Sequence, residues 1–210
     1  MRAHHHGHEH ELEPQYGLPE ALPSDERILW QGSPAAVEVF KTVFHGRALA
    51  AYFVSMLALR LILSPSEGEV TGATAAAAAG MAMVFGLALG LFWLIAWLTA
   101  KTTVYTITTK RLVMRIGIVL NVTFNVPWTR IAAADLRVRG NGSGDIAFRL
   151  VQEDKIAYLH LWPHARPWRF SHPEPMMRGL HDVQRVSERI LGAIPLASSV
   201  SHETDLQTAR

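Results

Sequence analysis

The densest concentration of chemically versatile side chains lies in fourteen residues, Ala157–Phe170 (AYLHLWPHARPWRF), which hold two Trp, two Pro, two Arg and two His. Trp and Arg dominate interface hot spots, and Pro lowers the entropy lost when such groups are held in place. The composition points to a rigid edge, with Trp162, His164, Arg166, Trp168 and Arg169 gripping a protein partner or lipid headgroups. A plainer alternative makes this stretch the last strand and its turn, with Trp162 and Trp168 packed on the final helix. His160 and His164 are four apart, but Pro163 lies between them in a strand-like pattern, so no helical ligand pair is expected.

Catalytic chemistry finds little footing. The chain has no Cys, which removes disulfides, thiol nucleophiles, iron–sulfur clusters and thiolate zinc sites. It contains no GxSxG, no P-loop, no HExxH and no dinucleotide-binding glycine pattern. Asp135, Asp145 and Asp154 fall in or beside expected turns, where capping or solvation is the default role. His4, His5, His6, His8 and His10 could bind a transition metal loosely, or simply form a solvated tail. The expectation is a non-enzymatic chain with no catalytic residues, no cofactor and no built metal centre.

Charge is unevenly distributed. Residues 1–100 carry five Lys/Arg against nine Asp/Glu, and residues 101–210 carry fifteen against nine. The net charge is only +2, too small to suggest nucleic acid. Arg130, Arg137, Arg139, Arg149, Arg166 and Arg169 could instead draw the basic half to an anionic lipid leaflet.

The elements that would position these groups begin with an apolar middle. Val70–Ala100 contains no Asp, Glu, Lys or Arg across 31 residues, more than the roughly 20 needed to cross a bilayer core. A helix over about 75–99 is expected, with Trp93 and Trp97 toward one interface. A second span is expected over about 43–63, joined to the first by SPSEGEVTG, which makes residues 43–100 a transmembrane hairpin. Gly86 and Gly90 have the small-xxx-small spacing that lets another helix approach. Lys41 and Arg47 precede the hairpin, and Lys101, Lys110 and Arg111 follow it, while the connecting loop has no Lys or Arg. That bias places both termini in the cytoplasm, although Arg60 runs against it.

Beyond Ala100 the hydrophobic period changes to two. Tyr105 and Ile107, then Leu112, Met114 and Ile116, then Ile118–Val126 alternate as strands do. Further strands are expected at Leu136–Arg139, Ile146–Val151 and Ile156–Trp162, with GNGSGD (Gly140–Asp145) as a turn. Met176, Leu180, Val183, Val186, Ser187, Ile190, Leu191 and Ile194 then read as one amphipathic helix, with Ser171 and Glu174 as its capping box. Ahead of the hairpin, Asp25–Pro34 resembles a strand ending in a turn. Five parts follow: a His-rich tail at 1–24, a strand and turn at 25–42, the hairpin at 43–100, a strand-rich domain at 101–195, and a polar tail at 196–210. Short strands followed by one helix suit a small curled sheet plugged by that helix.

Glu26–Pro34 (E-x-I-L-W-x-G-x-P) and Tyr105–Leu112 (Y-x-I-T-x-x-R-L), with an apolar hairpin between them, resemble the membrane-anchored bacterial PH-like domains. The resemblance implies an α+β membrane protein in which a two-helix transmembrane hairpin precedes a PH-like antiparallel β-roll with a C-terminal amphipathic helix. Gly17–Pro23 (GLPEALP) and Ala157–Arg169 are similar to members of that group that assist photosynthetic complex assembly in purple bacteria. This closer similarity implies an inner (intracytoplasmic) membrane location and photosynthetic reaction-centre subunits as partners. It also implies an effect on the light-harvesting 1 complex, contact with membrane lipids, self-association as a homodimer, and no catalytic site. Two other roles remain open: a PH-like lipid- or partner-binding domain in envelope homeostasis, and metal handling by the His tail.

Overall fold

In the computed structural model the chain is described at residues 16–63, 72–118, 121–151 and 158–194. Residues 1–15 of the expected His-rich tail, most of the expected interhelical loop, Asp154 and the C-terminal tail lie outside the described residues, whereas residues 16–24 of that tail are described and bury Leu18. What is described divides into two units, one helical (36–99) and one strand-rich, which draws on chain from both sides of the helices.

In the helical unit, α1 (Ala36–Thr42) and α2 (Gly46–Ile62) are separated by His45, whose backbone is left-handed (φ 51°), and they meet at 59°. Gly46 permits this bend, because a Cβ there would stand 2.2 Å from the Phe40 ring. The single span expected over 43–63 is therefore corrected to a short helix, a break, and 17 helical residues, which reach about 25 Å. The second helix, α3 (Gly72–Thr102), is 31 residues long and extends the expected 75–99 at both ends. It is one helix long and apolar enough to cross a membrane, and little of its surface is buried within the chain. Aromatic pairs hold α1, α2 and α3 together: Phe40 on Trp93, Phe44 near Phe92, and Phe53 stacked on Phe85 at 4.4 Å. Partner numbers fall on α3 as they rise on the other side, so α2 and α3 run antiparallel. Gly86 and Gly90 take no part in this packing, since a Cβ at either would meet nothing within 4 Å.

The strand-rich unit contains two antiparallel sheets. One has the order β1–β2–β3–β4, formed by Ile28–Gly32, Val104–Thr108, Arg111–Ile116 and Val122–Pro127. The other has the order β5–β6–β7, formed by Ile131–Val138, Gly144–Leu150 and Met176–Leu180. A final helix, α5 (residues 183–194), contributes Val183, Val186, Ile190 and Ala193 to one core shared with Tyr105, Ile107, Met114, Phe148 and Met177. The β3–β4 pairing runs from Arg111–Pro127 to Ile116–Val122, so this stretch is strands and not a third apolar helix.

The alternation read from the sequence places β2, β3, β4 and β6 well, but it misjudges what covers them. β2 is buried on both faces, including Thr106 and Thr108. β1, which precedes the helical unit in the chain, closes the open edge of β2 by pairing Gln31 with Thr106 and Gly32 with Tyr105, and its neighbouring side chains cover the two threonines. Gln31 Nε2 donates to Thr106 Oγ1 at 2.9 Å, and Thr108 Oγ1 donates to Glu26 Oε1 at 2.7 Å. A strand body drawn only from residues 101–195 would lack this edge.

Two other expectations are corrected. The spacing predicts a strand over Ile156–Trp162; Ile156 and Ala157 lie outside the described residues, and Tyr158–Leu161 is a helical turn, α4, with Trp162 N–H donating to Tyr158 O at 3.0 Å. Pro163 and Pro167 lack the N–H groups a sheet ladder would need. Met176–Leu180 is not the first part of the last helix. It is the buried strand β7, hydrogen-bonded to β6. The helix starts after Asp182, whose Oδ1 accepts from Arg185 N–H at 3.2 Å in a capping contact. The Ser171–Glu174 capping box accordingly does not form. The GNGSGD turn does form: Arg139 N–H donates to Ser143 O at 2.7 Å, and Gly142 takes φ 77°.

Candidate functional site

The connection from β6 to β7 carries the residues singled out for chemistry. Its root is fixed by local hydrogen bonds. His164 N–H donates to Leu161 O at 2.6 Å, Met176 N–H to His164 O at 2.7 Å, and Arg166 N–H to Glu174 O at 2.9 Å. Together with the Ala165–Pro175 bridge, these make a short two-stranded neck that holds out residues 167–173.

The composition places His164 on the gripping edge. It is instead buried, with 1% of its surface exposed, and holds the neck from inside. Arg178 backbone N–H donates to Tyr105 Oη at 3.1 Å, which turns the Tyr105 hydroxyl hydrogen toward His164 Nδ1 at 2.6 Å. His164 Nε2–H then donates to Thr103 Oγ1 at 3.1 Å, so the ring is a neutral Nε2–H tautomer with both nitrogens satisfied. Burial, aided by the Arg178 charge, pushes the imidazole down to about 3. Burial likewise raises the Tyr105 hydroxyl above its ordinary value and lowers the Arg178 guanidinium below its own. Arg178 Nη2 donates to Ala165 O at 2.8 Å and so ties β7 to the neck. Asp145, expected in a solvated turn, is buried; its Oδ1 accepts from Gly179 N–H at 2.9 Å, and the carboxylate pairs with Arg139.

Tyr105 is the hub of this cluster. Tyr105→Phe should cost about 1–3 kcal/mol, because it leaves the His164 and Arg178 polar atoms without a buried partner. Thermal unfolding of the full chain measures the loss, and an unchanged midpoint would refute the role.

Around the neck, three arginines enclose two carboxylates. Arg166 Nη1 donates to Glu174 Oε2 at 2.8 Å and also to Asp135. Arg149 lies 3.5 Å from Asp135 and 3.8 Å from Glu174, and Arg169 lies 3.8 Å from Glu174. The Glu174 and Asp135 bonds raise the Arg166 guanidinium further above its ordinary value. Arg166 thus serves both as brace and as surface, while Arg169 is half exposed.

The aromatic residues point outward. Trp168 is 86% exposed, Phe170 62% and Trp162 47%, so the alternative that packs Trp168 on the final helix is excluded. Trp168 also has φ 64°, a left-handed backbone that is rare for a bulky residue. The rings touch in series: Tyr158 on Phe170 at 4.9 Å, and Phe170 edge-on to Trp168 at 6.2 Å. Of the five expected residues, Arg166 and Arg169 meet at Glu174 and Trp168 is exposed beside them on the loop, while Trp162 is exposed on the turn that follows α4.

The sequence reading missed Thr103, Tyr105, Glu174 and Arg178. The His164 contacts to Thr103 and Tyr105 span 61 and 59 residues, and no local pattern reports such a pairing. Among the described residues, no three His, Asp or Glu side chains converge to hold a metal ion.

A Rhodobacter capsulatus protein of 23.7 kDa, described only as uncharacterised and lying in the puhA 5′ region, is 36% identical over 185 residues. The match covers 88% of this chain and 86% of that protein. No solved structure matches the chain. Residues 49–194, from inside α2 through β2–β7 to the end of α5, match the bacterial PH domain family, and the chain belongs to that family.

Proposed function

We propose that the chain is a membrane-bound, non-catalytic assembly factor for the photosynthetic reaction centre, and through it for the light-harvesting 1 complex, of the kind represented by PuhB. The observation that carries this reading is the relative placed in the puhA region, a photosynthesis locus, taken with the similarity of Gly17–Pro23 and Ala157–Arg169 to PuhB. Among the described residues, the geometry supports a binding role. The buried polar groups around His164 are engaged in holding the fold, and the exposed ones form a loop suited to contact. Reaction-centre subunits are the proposed cargo, with self-association as a homodimer part of the same reading.

The membrane part of the reading has its own support. β1 and β2 share one sheet although the helices lie between them, which favours an even number of crossings. The bent α1–α2 pair would then cross with α3. Lys/Arg placement favours an inner-membrane hairpin with both termini in the cytoplasm. Alkaline phosphatase and green fluorescent protein fusions at residues 66 and 210 test this: only the first should give phosphatase activity, and only the second fluorescence.

The functional test is deletion of the gene followed by near-infrared absorption of the membranes. Reaction-centre bands should fall several-fold and recover when the gene is restored. Normal bands in the deletion strain would remove the assembly role.

A further inference from the structure

We propose that the β6–β7 loop tip, Trp168–Phe170, is a bilayer-surface anchor that seats its two rings among the headgroups of an anionic leaflet, with Arg169 on lipid phosphate. This names the docking partner of the loop and rests on the membrane part of the reading above.

Single exposed apolar side chains are ordinary, but contiguous ones signal a contact. Here Tyr158, Phe170 and Trp168 form one chain of touching rings that ends at the most exposed residue of the three. The left-handed backbone at Trp168 is a strain that persists only where the surroundings over-determine it. The neck hydrogen bonds and the Arg166–Glu174 pair supply that constraint. A loop held in advance loses little entropy on docking.

The chemistry of the tip matches a lipid interface. Trp prefers the headgroup layer, where an apolar ring body and a polar N–H are both accommodated. Among the described residues around the neck, Arg149, Arg166 and Arg169 face Asp135 and Glu174, an excess of one positive charge. A guanidinium takes phosphate oxygens in a two-pronged hydrogen bond.

Area distinguishes lipid from protein as the occupant. A specific protein interface needs about 1,000 Å² or more with complementary shape, and a convex tip of three residues offers far less. A bilayer makes no such demand on a chain already tethered to it, because tethering makes the second contact intramolecular. The helix α3 in the same chain is long and apolar enough to provide that tether.

The lack of native cysteine allows a clean test. Ser171→Cys, exposed beside the tip, carries a single nitroxide on the full chain in nanodiscs of phosphatidylcholine and phosphatidylglycerol. Dissolved oxygen should relax the label more than a water-soluble nickel chelate does. Trp168→Ala with Phe170→Ala should lower the oxygen-to-nickel ratio several-fold while leaving the thermal midpoint of the chain unchanged. Arg169→Glu, or removal of phosphatidylglycerol, should lower it by a smaller factor. A label that stays open to nickel in every disc overturns the anchor. So does shielding that appears only when reaction-centre polypeptides are added, which would make the tip a protein contact. If the chain fails to enter discs at all, the membrane reading fails and the anchor falls with it.

Discussion

Acidifying the full chain from neutrality to about pH 3 is expected to lower folding stability through His164 by an amount on the order of 4 kcal/mol. The folded imidazole stays neutral down to about 3, because its charged form would be buried and would face Arg178. In the unfolded chain the same ring takes a proton near its ordinary value of 6.5. Between these values the unfolded state holds more protons, so stability falls as pH falls. Above about 6.5 both states are neutral and this contribution is flat. Protonation would also remove the Nδ1 lone pair that accepts from Tyr105. Thermal unfolding in detergent between pH 7 and 4 reads the slope, and His164→Gln, which cannot titrate in this range, should flatten it. An equal slope in both proteins would show that other groups carry the acid sensitivity.

Residues 101–195 expressed alone are expected not to reach a native fold, because the strand that closes their first sheet lies before the helices. Without β1, the edge of β2 loses Leu29 and Trp30, which pack against the core. Each such side chain contributes about 1.5–3 kcal/mol when fully buried, and somewhat less here. The fragment also loses Glu26, buried and bound to Arg111 by bonds of 2.9 and 3.0 Å and to Thr108 at 2.7 Å. Arg111 keeps about a third of its side chain in solvent, so losing these charged hydrogen bonds costs about 1.5–3 kcal/mol, less than for a fully buried pair. Together these losses rival the 5–15 kcal/mol that holds a typical domain. Joining residues 16–35 to 103–194 through a glycine-rich linker should restore folding, since Gly32 and Tyr105 are already opposite each other. Hydrogen exchange distinguishes the two constructions: slow amides in β2 and β3 are expected only in the joined one. Protected amides in the 101–195 fragment would refute the role of β1.

Both expectations come from contacts that a linear reading could not supply. The long apolar helix α3 is legible because Val70–Ala100, 31 residues without a charge, exceeds what a bilayer crossing needs. The strands β2, β3, β4 and β6 are legible because alternation at period two is a local property of the chain. The loop of Trp, Pro and Arg is legible as composition. Its prominence owes much to prolines that bar it from the sheet, a point the residues themselves contain but that strand-like spacing obscured.

Coverage was decided by the tertiary structure alone. Periodicity says that a strand has two faces, and not what lies over each. Thr106 and Thr108 look like solvent positions until β1 and Glu26 arrive from more than seventy residues away. Met176 and Leu180 fit a helical stripe until hydrogen bonds to β6 make them strand, and His164 resembles its exposed neighbours until Tyr105 and Thr103 close around it. In each case the free energy comes from burying a polar or apolar group against a partner distant along the chain, and such a partner leaves no periodic trace in the local sequence.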